Sequence, residues 1–340
     1  MPDSADAAPN SRKINKPPVL FEKTQKIIQQ LEIQLGSPFL GYWTSPGGSV
    51  CQSDVEGLEE VLRKIGNPKK LFLFLKSDGG SGLASLRIVH LLRHHVSELI
   101  VLIPLDCASA ATMIALGADE IHMGPLSYLT AIDTSITHNL SPVDNYNNLV
   151  SVSQDELTRV INLWRKEAKE DDTNPYQALF QYVHPLVVGA VDRASSLSIK
   201  VCTEILAYHM KDQDRAAAIS NHLNSEYPSH SYPITFQEAK RIGLTVKSLE
   251  PTINSLLLEL NKLYAEMGQK AFTYFNEDSY HNNEILNIHE GRDIQVYYQN
   301  DVDWAYRKEE RRWARMNDES SWRRLEMRDG ETYESVFYIR

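Results

Sequence analysis

The stretch that decides the fold runs from Leu99 to Asp133 and reads LIVLIPLDCASAATMIALGADEIHMGPLSYLTAID. Its apolar start, Leu99 to Leu105, predicts a buried strand, and the small residues from Ala110 to Leu116 predict a helix that ends at Gly117. Ser109 lies at the turn between them, beside helix N–H groups that have no intrahelical partner and favour negative charge. That position suits a nucleophile next to an oxyanion hole, and it equally suits an ordinary helix N-cap.

A second strand-turn-helix segment precedes this stretch. Leu71 to Leu75 (LFLFL) predicts a buried strand, and a glycine-rich turn, Asp78 to Gly82, follows it. Strands that alternate with helices predict right-handed βαβ units and a mostly parallel sheet, in which sites lie at the carboxyl ends of the strands. Because glycine lets backbone approach a ligand closely, the N–H of Gly79 or Gly80 can supply one oxyanion donor, and the N–H of Ala110 the other.

Composition narrows the class of protein. The chain has 340 residues, of which 42% are hydrophobic, and this is enough for a normal core. A formal charge of −10 argues against nucleic acid as the main partner. The three cysteines (Cys51, Cys107 and Cys202) are widely spaced, which fits a reducing compartment and neither a disulfide framework nor a zinc site. The sequence predicts no cofactor, no metal, no secretory signal and no membrane span, and it indicates a cytoplasmic protein.

The composition divides the chain into three predicted parts: a flexible arm at 1–17, an α/β core at 18–250 and a helical, charged C-terminal extension at 251–340. Long helices are predicted in the middle third. In the extension, Trp304, Trp313 and Trp322 are interleaved with arginines, a pattern that suits RNA or a protein partner. Because acids are mixed through the run, a helix with a solvated outer face is favoured, nucleic acid is disfavoured, and a protein partner is the remaining candidate.

The segments KSDGGSG (76–82) and SAATMIALGADEIHMGPLSYLTAID (109–133) together resemble the Clp protease and signal peptide peptidase superfamily. Within it, the serine dehydrogenase proteinase family is the most similar branch, and SHSYPITFQEAKRIGL (229–244) is also similar to that family. The resemblance covers Leu35 to Leu249. It implies a Clp/crotonase-type spiral of ββα units with added helices, a homo-oligomer, and a serine endopeptidase that acts without a fused ATPase. No GxxxxGK[ST] motif is present in the sequence.

Two departures from the family pattern concern the site. Ser77-Asp78 stands where relatives usually have Ser-Pro, although both glycines remain. Thr130-Ala131 replaces the Gly-Pro of a GPID-like turn, so the family pattern does not determine the geometry around Asp133. The first change matters little to an oxyanion hole that is made of backbone.

The resemblance implies Ser109 as the nucleophile, but it does not identify the general base. In Clp proteases a histidine follows the helix of the nucleophile, and that position falls here at Ile132 or Asp133. His230 lies in the segment where Clp proteases place the third triad member. A Ser109–His230–Asp133 triad with histidine and aspartate exchanged is therefore predicted, because triads are recognised by geometry and not by order. The alternative bases are Lys166, Lys169 and Lys200, since signal peptide peptidases use a lysine, and His138 is a weaker candidate.

Two other functions stay open at this stage. A crotonase-type acyl-CoA enzyme uses the same pair of oxyanion donors without a serine nucleophile. A catalytically inactive Clp-fold scaffold that binds a partner is the other, because the usual histidine is missing and the turn at 130–131 is altered.

Overall fold

A mixed sheet of 11 strands forms the centre of the computed structural model, which describes residues 13–145, 147–167 and 174–337. The helices are α1 (Phe21–Leu35), α2 (Asp54–Ile65), α3 (Gly82–His95), α4 (Ala110–Leu116), α5 (Gln154–Glu167), α6 (Pro175–Leu179), α7 (Pro185–Leu206), α8 (Gln213–Ser225), α9 (Phe236–Arg241) and α10 (Pro251–Met267). The strands are β1 (Phe39–Thr44), β2 (Lys70–Lys76), β3 (Glu98–Ile103), β4 (Asp106–Cys107), β5 (Glu120–Met123), β6 (Tyr128–Leu129), β7 (Ser135–Ile136), β8 (Val152–Ser153), β9 (Val246–Ser248), β10 (Ala271–Asn276), β11 (Ser279–Gly291), β12 (Ile294–Arg307), β13 (Arg312–Asp318), β14 (Ser321–Arg328) and β15 (Glu331–Phe337).

The sheet has a parallel half and an antiparallel half. Strands β1, β2, β3, β5 and β9 lie side by side in that order, and each neighbouring pair is parallel. On the other side of β1, strands β11, β12, β14 and β15 continue the sheet as antiparallel neighbours. The predicted α/β class, with helices added to a largely parallel core, is therefore confirmed.

The parallel strands are covered on both faces, which explains why their sequences are continuously apolar. Leu71, Leu73 and Leu75 belong to a core cluster that includes side chains of α2, α3 and α4. Phe72 and Phe74, which point to the opposite face, pack in a second cluster with α1 and α10. This two-sided burial makes β2 and β3 a rigid platform for the turns at their carboxyl ends.

The predicted helix of the extension is present only in its first part. Helix α10 forms as the spacing of its apolar residues predicts, with Leu257, Leu260 and Tyr264 fully buried. The helical prediction for the rest of 251–340 is wrong, because six strands, β10 to β15, follow α10. The β-branched and aromatic residues of β12 favour a strand, β11 pairs with both β12 and β1, and the mixed charge lies on exposed strand faces and hairpin turns. Residues 338–340 lie outside the described residues.

The predicted N-terminal arm falls mostly outside the described residues, which begin at residue 13. Where the chain is described, Asn15 donates from its backbone N to Thr273 Oγ1 (2.8 Å) and from Nδ2 to the carbonyl of Phe272 (2.9 Å). The end of the arm is thus joined to β10. Among the described helices, none combines the length and the apolar composition that crossing a bilayer requires.

Candidate active site

Ser109 occupies a tight turn between β4 and α4. Its backbone has φ 52° and ψ −117°, a conformation that costs a residue with a Cβ about 1–3 kcal/mol. Although Ser109 is the N-cap residue of α4, its side chain makes no capping hydrogen bond. Ser109 thus occupies the N-cap position, but its hydroxyl does not cap the helix, and the interpretation of this serine as an ordinary capping residue is wrong. The strained turn places the hydroxyl at the start of the helix.

Gly79 and Gly80 form the turn directly beside Ser109. Gly79 has φ +106°, and a Cβ built on it would lie 2.7 Å from Ser109 Cβ and 2.8 Å from the carbonyl oxygen of Ala108. Gly80 has φ +148°, and its Cβ would lie 2.4 Å from the carbonyl oxygen of Val50. Only glycine allows this close packing of the two turns.

The backbone N–H groups of the two turns differ in whether they already donate a hydrogen bond. Gly79 N donates to Ser77 Oγ (3.2 Å), so that N–H is already used. In the described part of the chain, neither the N–H of Gly80 nor that of Ala110 donates a hydrogen bond. These two N–H groups, one from each turn, are therefore available to an oxyanion.

Thr130 anchors the Ser109 turn through a hydrogen bond, a role that was not predicted from the sequence. Its buried Oγ1 accepts a hydrogen bond from Ser109 N (2.8 Å), while Thr130 N donates to Thr112 Oγ1 (3.1 Å). Thr130 is one of the two residues that replace Gly-Pro in the family pattern. The substitution thus supplies a hydroxyl where the relatives have none, and the only signal in the sequence was that departure itself.

His230 and Asp133 come together although 97 residues separate them. His230 Nδ1 lies 2.8 Å from Asp133 Oδ1. The contact forms because Ile234 N donates to the carbonyl of Leu129 (2.8 Å), which aligns the 229–234 segment with the 129–133 segment. Ser198 Oγ of α7 also donates to the carbonyl of Ile132 (2.7 Å) and so anchors the residue before Asp133.

The Asp133 carboxylate changes the chemistry of His230. Its hydrogen bond raises the pKa of His230 above the usual value, against an opposing effect of partial burial. The His230 side chain stays 51% exposed, whereas Asp133 is 17% exposed. A carboxylate that holds Nδ1 leaves Nε2 as the ring atom that can accept a proton.

One cavity of about 310 Å³ brings most of the predicted site residues together. It is lined by Gly80, Ser109, Ala110, Asp133 and His230, with apolar side chains of α3, α4 and α7 on its walls. A larger cavity of about 960 Å³ lies between α2, α3 and α7, but none of the residues predicted for catalysis lines it. Over the described ranges, no group of three or more histidine, cysteine or acidic side chains suits a metal ion.

Of the lysine alternatives, the two that the structure describes, Lys166 and Lys200, are not among the residues that line this cavity. Lys166 lies in the exposed last turn of α5, and Lys200 is 72% exposed and 3.8 Å from Glu204. Neither lines the cavity around Ser109. Lys169 lies outside the described residues. His138 instead accepts a hydrogen bond from Leu140 N through Nδ1 (3.1 Å), which marks it as a turn residue.

Comparison with known proteins gives three kinds of similarity: to sequence relatives, to solved structures and to a family model. The uncharacterized proteins MJ0137 and MJ1495 of Methanocaldococcus jannaschii are 25% and 26% identical over 211 and 230 residues. These matches cover 61% and 65% of this chain, and they span 65% and 67%, about two thirds, of the relatives' own length.

Among solved structures, a mutant of the 1510-N membrane-bound stomatin-specific protease is similar at 16% identity and a TM-score of 0.39, over 66% of this chain and 83% of that one. ClpP1 from Listeria monocytogenes is similar at 12% identity and a TM-score of 0.34, over 69% of this chain and 99% of that one.

A family model matches the part of the chain that carries the two turns. The match runs over residues 50–155, which include Gly79, Gly80, Ser109 and Asp133. It supports a serine proteinase, and it confirms the resemblance on which the fold prediction relied. Over these residues the chain has the sequence pattern of the ClpP-like SDH-type serine proteinases.

Proposed function

We propose that this protein is an ATP-independent serine endopeptidase that hydrolyses peptide bonds through an acyl-enzyme on Ser109. The observation that carries the proposal is the shared cavity, which is lined by Ser109, His230, Asp133, Gly80 and Ala110. The backbone of Ser109 is strained, and its side chain makes no capping hydrogen bond. Acyl transfer needs these three elements: a nucleophile, a base and oxyanion donors. The family match over residues 50–155 supports the same reaction class.

In the proposed mechanism, neutral His230 accepts the proton of the Ser109 hydroxyl through Nε2 as Oγ attacks the substrate carbonyl. The developing oxyanion is held by the N–H groups of Gly80 and Ala110. His230 then donates its proton to the leaving amine, and the acyl-enzyme forms on Ser109. Water, deprotonated by His230, then attacks the ester carbonyl, and His230 returns that proton to Ser109 Oγ as the acyl–oxygen bond breaks and the carboxylic acid product leaves. Asp133 orients the ring and stabilises the imidazolium.

The proposal includes a homo-oligomer. Helices α5 and α7, and Tyr182 between α6 and α7, expose large apolar side chains, among them Leu163 (61% exposed), Tyr182 (78%) and Leu186 (63%). Large exposed apolar side chains in one region of the chain are compatible with a protein interface. Assembly through these helices would enclose the cavity that contains Ser109. The cytoplasmic location stays a prediction from the sequence.

Labelling with a fluorophosphonate tests the function directly. We expect one covalent adduct, located by peptide mass spectrometry on the peptide that contains Ser109, since only an activated serine reacts at neutral pH. Absence of the adduct in the intact oligomer would favour a scaffold that has kept the fold. Saturable binding of an acyl-CoA in place of labelling would indicate the crotonase-type enzyme.

The Gly79→Ala variant is expected to lower kcat for a fluorogenic peptide by about 10²–10³-fold, because it displaces the neighbouring oxyanion donors at Gly80 and Ala110 and so costs about as much as losing one of them. The added Cβ would meet Ser109 Cβ at 2.7 Å and the carbonyl oxygen of Ala108 at 2.8 Å, so the two turns must separate. The matched control is Gly66→Ala, because Gly66 also has a positive φ but nothing lies within 4 Å of its Cβ. Equal loss of activity in both variants would mean that general destabilisation is the cause.

The Asp133→Asn variant is expected to shift the acid limb of the pH profile of kcat/KM to lower pH. His230 must be neutral to act as a base, and its hydrogen bond to Asp133 raises its pKa above the ordinary value of about 6.5. In the unmodified protein, kcat/KM is therefore expected to decrease as the pH is lowered through this raised pKa. Removing the carboxylate lowers that pKa, although the activity at the plateau also drops. An acid limb that does not move would exclude His230 as the titrating group.

A further inference from the structure

Strands β10 to β13 carry a continuous group of aromatic side chains on one face. Tyr274, Tyr280, Trp304 and Arg315 are in register across the four strands, one residue from each. The ring centroids of Tyr274 and Tyr280 are 6.0 Å apart, and those of Tyr280 and Trp304 are 6.5 Å apart. The Arg315 guanidinium lies 5.5 Å from the centre of the Trp304 ring. Three more rings, those of Phe272, Tyr306 and Trp313, join this row, and we call the seven residues the aromatic face.

The aromatic face is open to solvent. Tyr274 is 70% exposed, Trp313 is 41% exposed and Phe272 is 38% exposed. By contrast, Trp322, the third tryptophan of the extension, is buried and stacks on His289. Tyrosine, tryptophan and arginine are the residues that most often supply binding energy at protein interfaces.

The register of β11 places this face at the same edge of the sheet as the candidate active site. Thr44, at the carboxyl end of β1, pairs with Asn287 of the antiparallel strand β11. Residues 279–286 therefore extend beyond the carboxyl edge of the parallel strands, where the Gly79–Gly80 turn and Ser109 lie. The loop after β1 connects the two features, since Ser45 N donates to the carbonyl of Leu286 (2.8 Å) and Val50 N donates to that of Gly79 (2.8 Å).

The charge beside the aromatic face is opposite to that of the whole chain. Residues 307–316 contain five cationic and two acidic side chains, a formal charge of +3 in a chain of −10. The ion pairs in this hairpin, such as Arg315 with Asp318 and Arg307 with Glu310, are exposed, and exposed pairs are weak enough to exchange partners. The cationic side chains of residues 307–316, at the turn of the hairpin, can therefore bind the carboxylates of an acidic ligand.

The outer edge of β13 indicates a polypeptide as the ligand. In the described ranges, β13 pairs only with β12, so its outer edge can pair with an extended chain. Nucleic acid is less favoured, because the formal charge of −10 on the whole chain repels a continuous polyanion.

We propose that the aromatic face is an exosite that captures unfolded, acidic polypeptide substrates and holds them at the edge of the sheet where Ser109 lies. The proposal rests on the peptidase function proposed above. An extended segment would place its apolar side chains on the rings and its carboxylates near the cations of the β12–β13 hairpin. Short peptides, which cannot span both sites, do not need it.

The first test measures binding without hydrolysis. The Ser109→Ala chain is titrated with fluorescein-labelled, reduced and carboxymethylated α-lactalbumin, an unfolded acidic protein, and the dissociation constant is read by fluorescence anisotropy. Adding Tyr274→Ala and Trp313→Ala to this chain is expected to raise the dissociation constant about tenfold, as for two interface residues of ordinary weight. The matched control is Tyr333→Ala, which removes a 49% exposed tyrosine from β15, outside the aromatic face.

The second test uses the chain with Ser109 intact. The Tyr274→Ala and Trp313→Ala double variant should raise KM for the unfolded protein about tenfold, while kcat and the hydrolysis of a fluorogenic tripeptide stay unchanged. An unchanged dissociation constant would overturn the exosite, and so would an equal loss on both substrates. Tighter binding of a labelled oligouridylate, lost in the double variant, would show a nucleic-acid surface instead. If Ser109 proves unreactive, the proposed function fails, but the binding test still reports on the aromatic face.

Discussion

Replacing Ser109 by alanine is expected to lower kcat for peptide hydrolysis by about 10⁴-fold or more, as the loss of a nucleophile does in serine proteases. The same variant should lose all labelling by a fluorophosphonate. The physical reason is that Oγ is the atom that the strained turn presents, since the side chain makes no capping hydrogen bond that would compete with attack. The measurements are steady-state kinetics with a fluorogenic peptide and mass spectrometry of the labelled protein.

The control is Ser135→Ala, because Ser135 lines the same cavity but is not in the proposed machinery. It should keep its activity.

Alanine has a Cβ like serine, so Ser109→Ala retains the strain at φ 52° and should keep the melting temperature. Ser109→Gly, which relieves the strain, should melt higher while remaining inactive. Residual labelling of Ser109→Ala at the original rate would contradict the assignment of the nucleophile.

Much of the parallel half of the sheet could be predicted because its signals are local. The apolar runs at Leu71–Leu75 and Leu99–Leu105 have the length and composition of buried strands, and each is followed by a turn with small residues. Helix α4 begins at Ala110 and ends at Leu116, as its composition predicts. Such elements are determined by sequence neighbours, so a single sequence is enough to find them.

The C-terminal extension was harder to predict because its stability is not local. Strands β11 and β12 are 13 and 14 residues long and pair with each other, and β11 is also paired with β1, which lies more than 200 residues earlier in the chain. Mixed charges in Val302–Arg328 resemble those of a solvated helix, and the alternation of strand residues was obscured by the arginines. The same side chains on hairpins and sheet faces are equally well solvated.

The site was predictable in part for the same reason. The two turns that hold Gly80 and Ser109 follow adjacent strands, so their proximity follows from the parallel topology. The contact of Thr130 Oγ1 with Ser109 N does not follow from any motif, because it depends on the path of the chain after β5. The pairing of His230 with Asp133 was predicted from the resemblance, and the 2.8 Å contact agrees with it, while their catalytic roles stay predictions.

Replacing His230 by alanine is expected to lower kcat by about 10⁴-fold or more, because a serine hydroxyl is a poor nucleophile without a base. The exposure of His230 makes this variant unusually informative. Its side chain is 51% exposed, so the space that it leaves opens to solvent and can admit a small base. Addition of imidazole should therefore restore part of the activity of His230→Ala, with an apparent pKa near that of free imidazole.

Matched variants separate His230 from its competitors. His138→Ala should be as active as the unmodified protein, because His138 does not line the cavity around Ser109. Lys166→Ala and Lys200→Ala should also be active, since both side chains are exposed and neither lines that cavity. If a lysine variant lost activity while His230→Ala kept it, the base would be the lysine. A loss in His230→Ala that imidazole cannot rescue, accompanied by a lower melting temperature, would mean that His230 only stabilises the turn through Asp133.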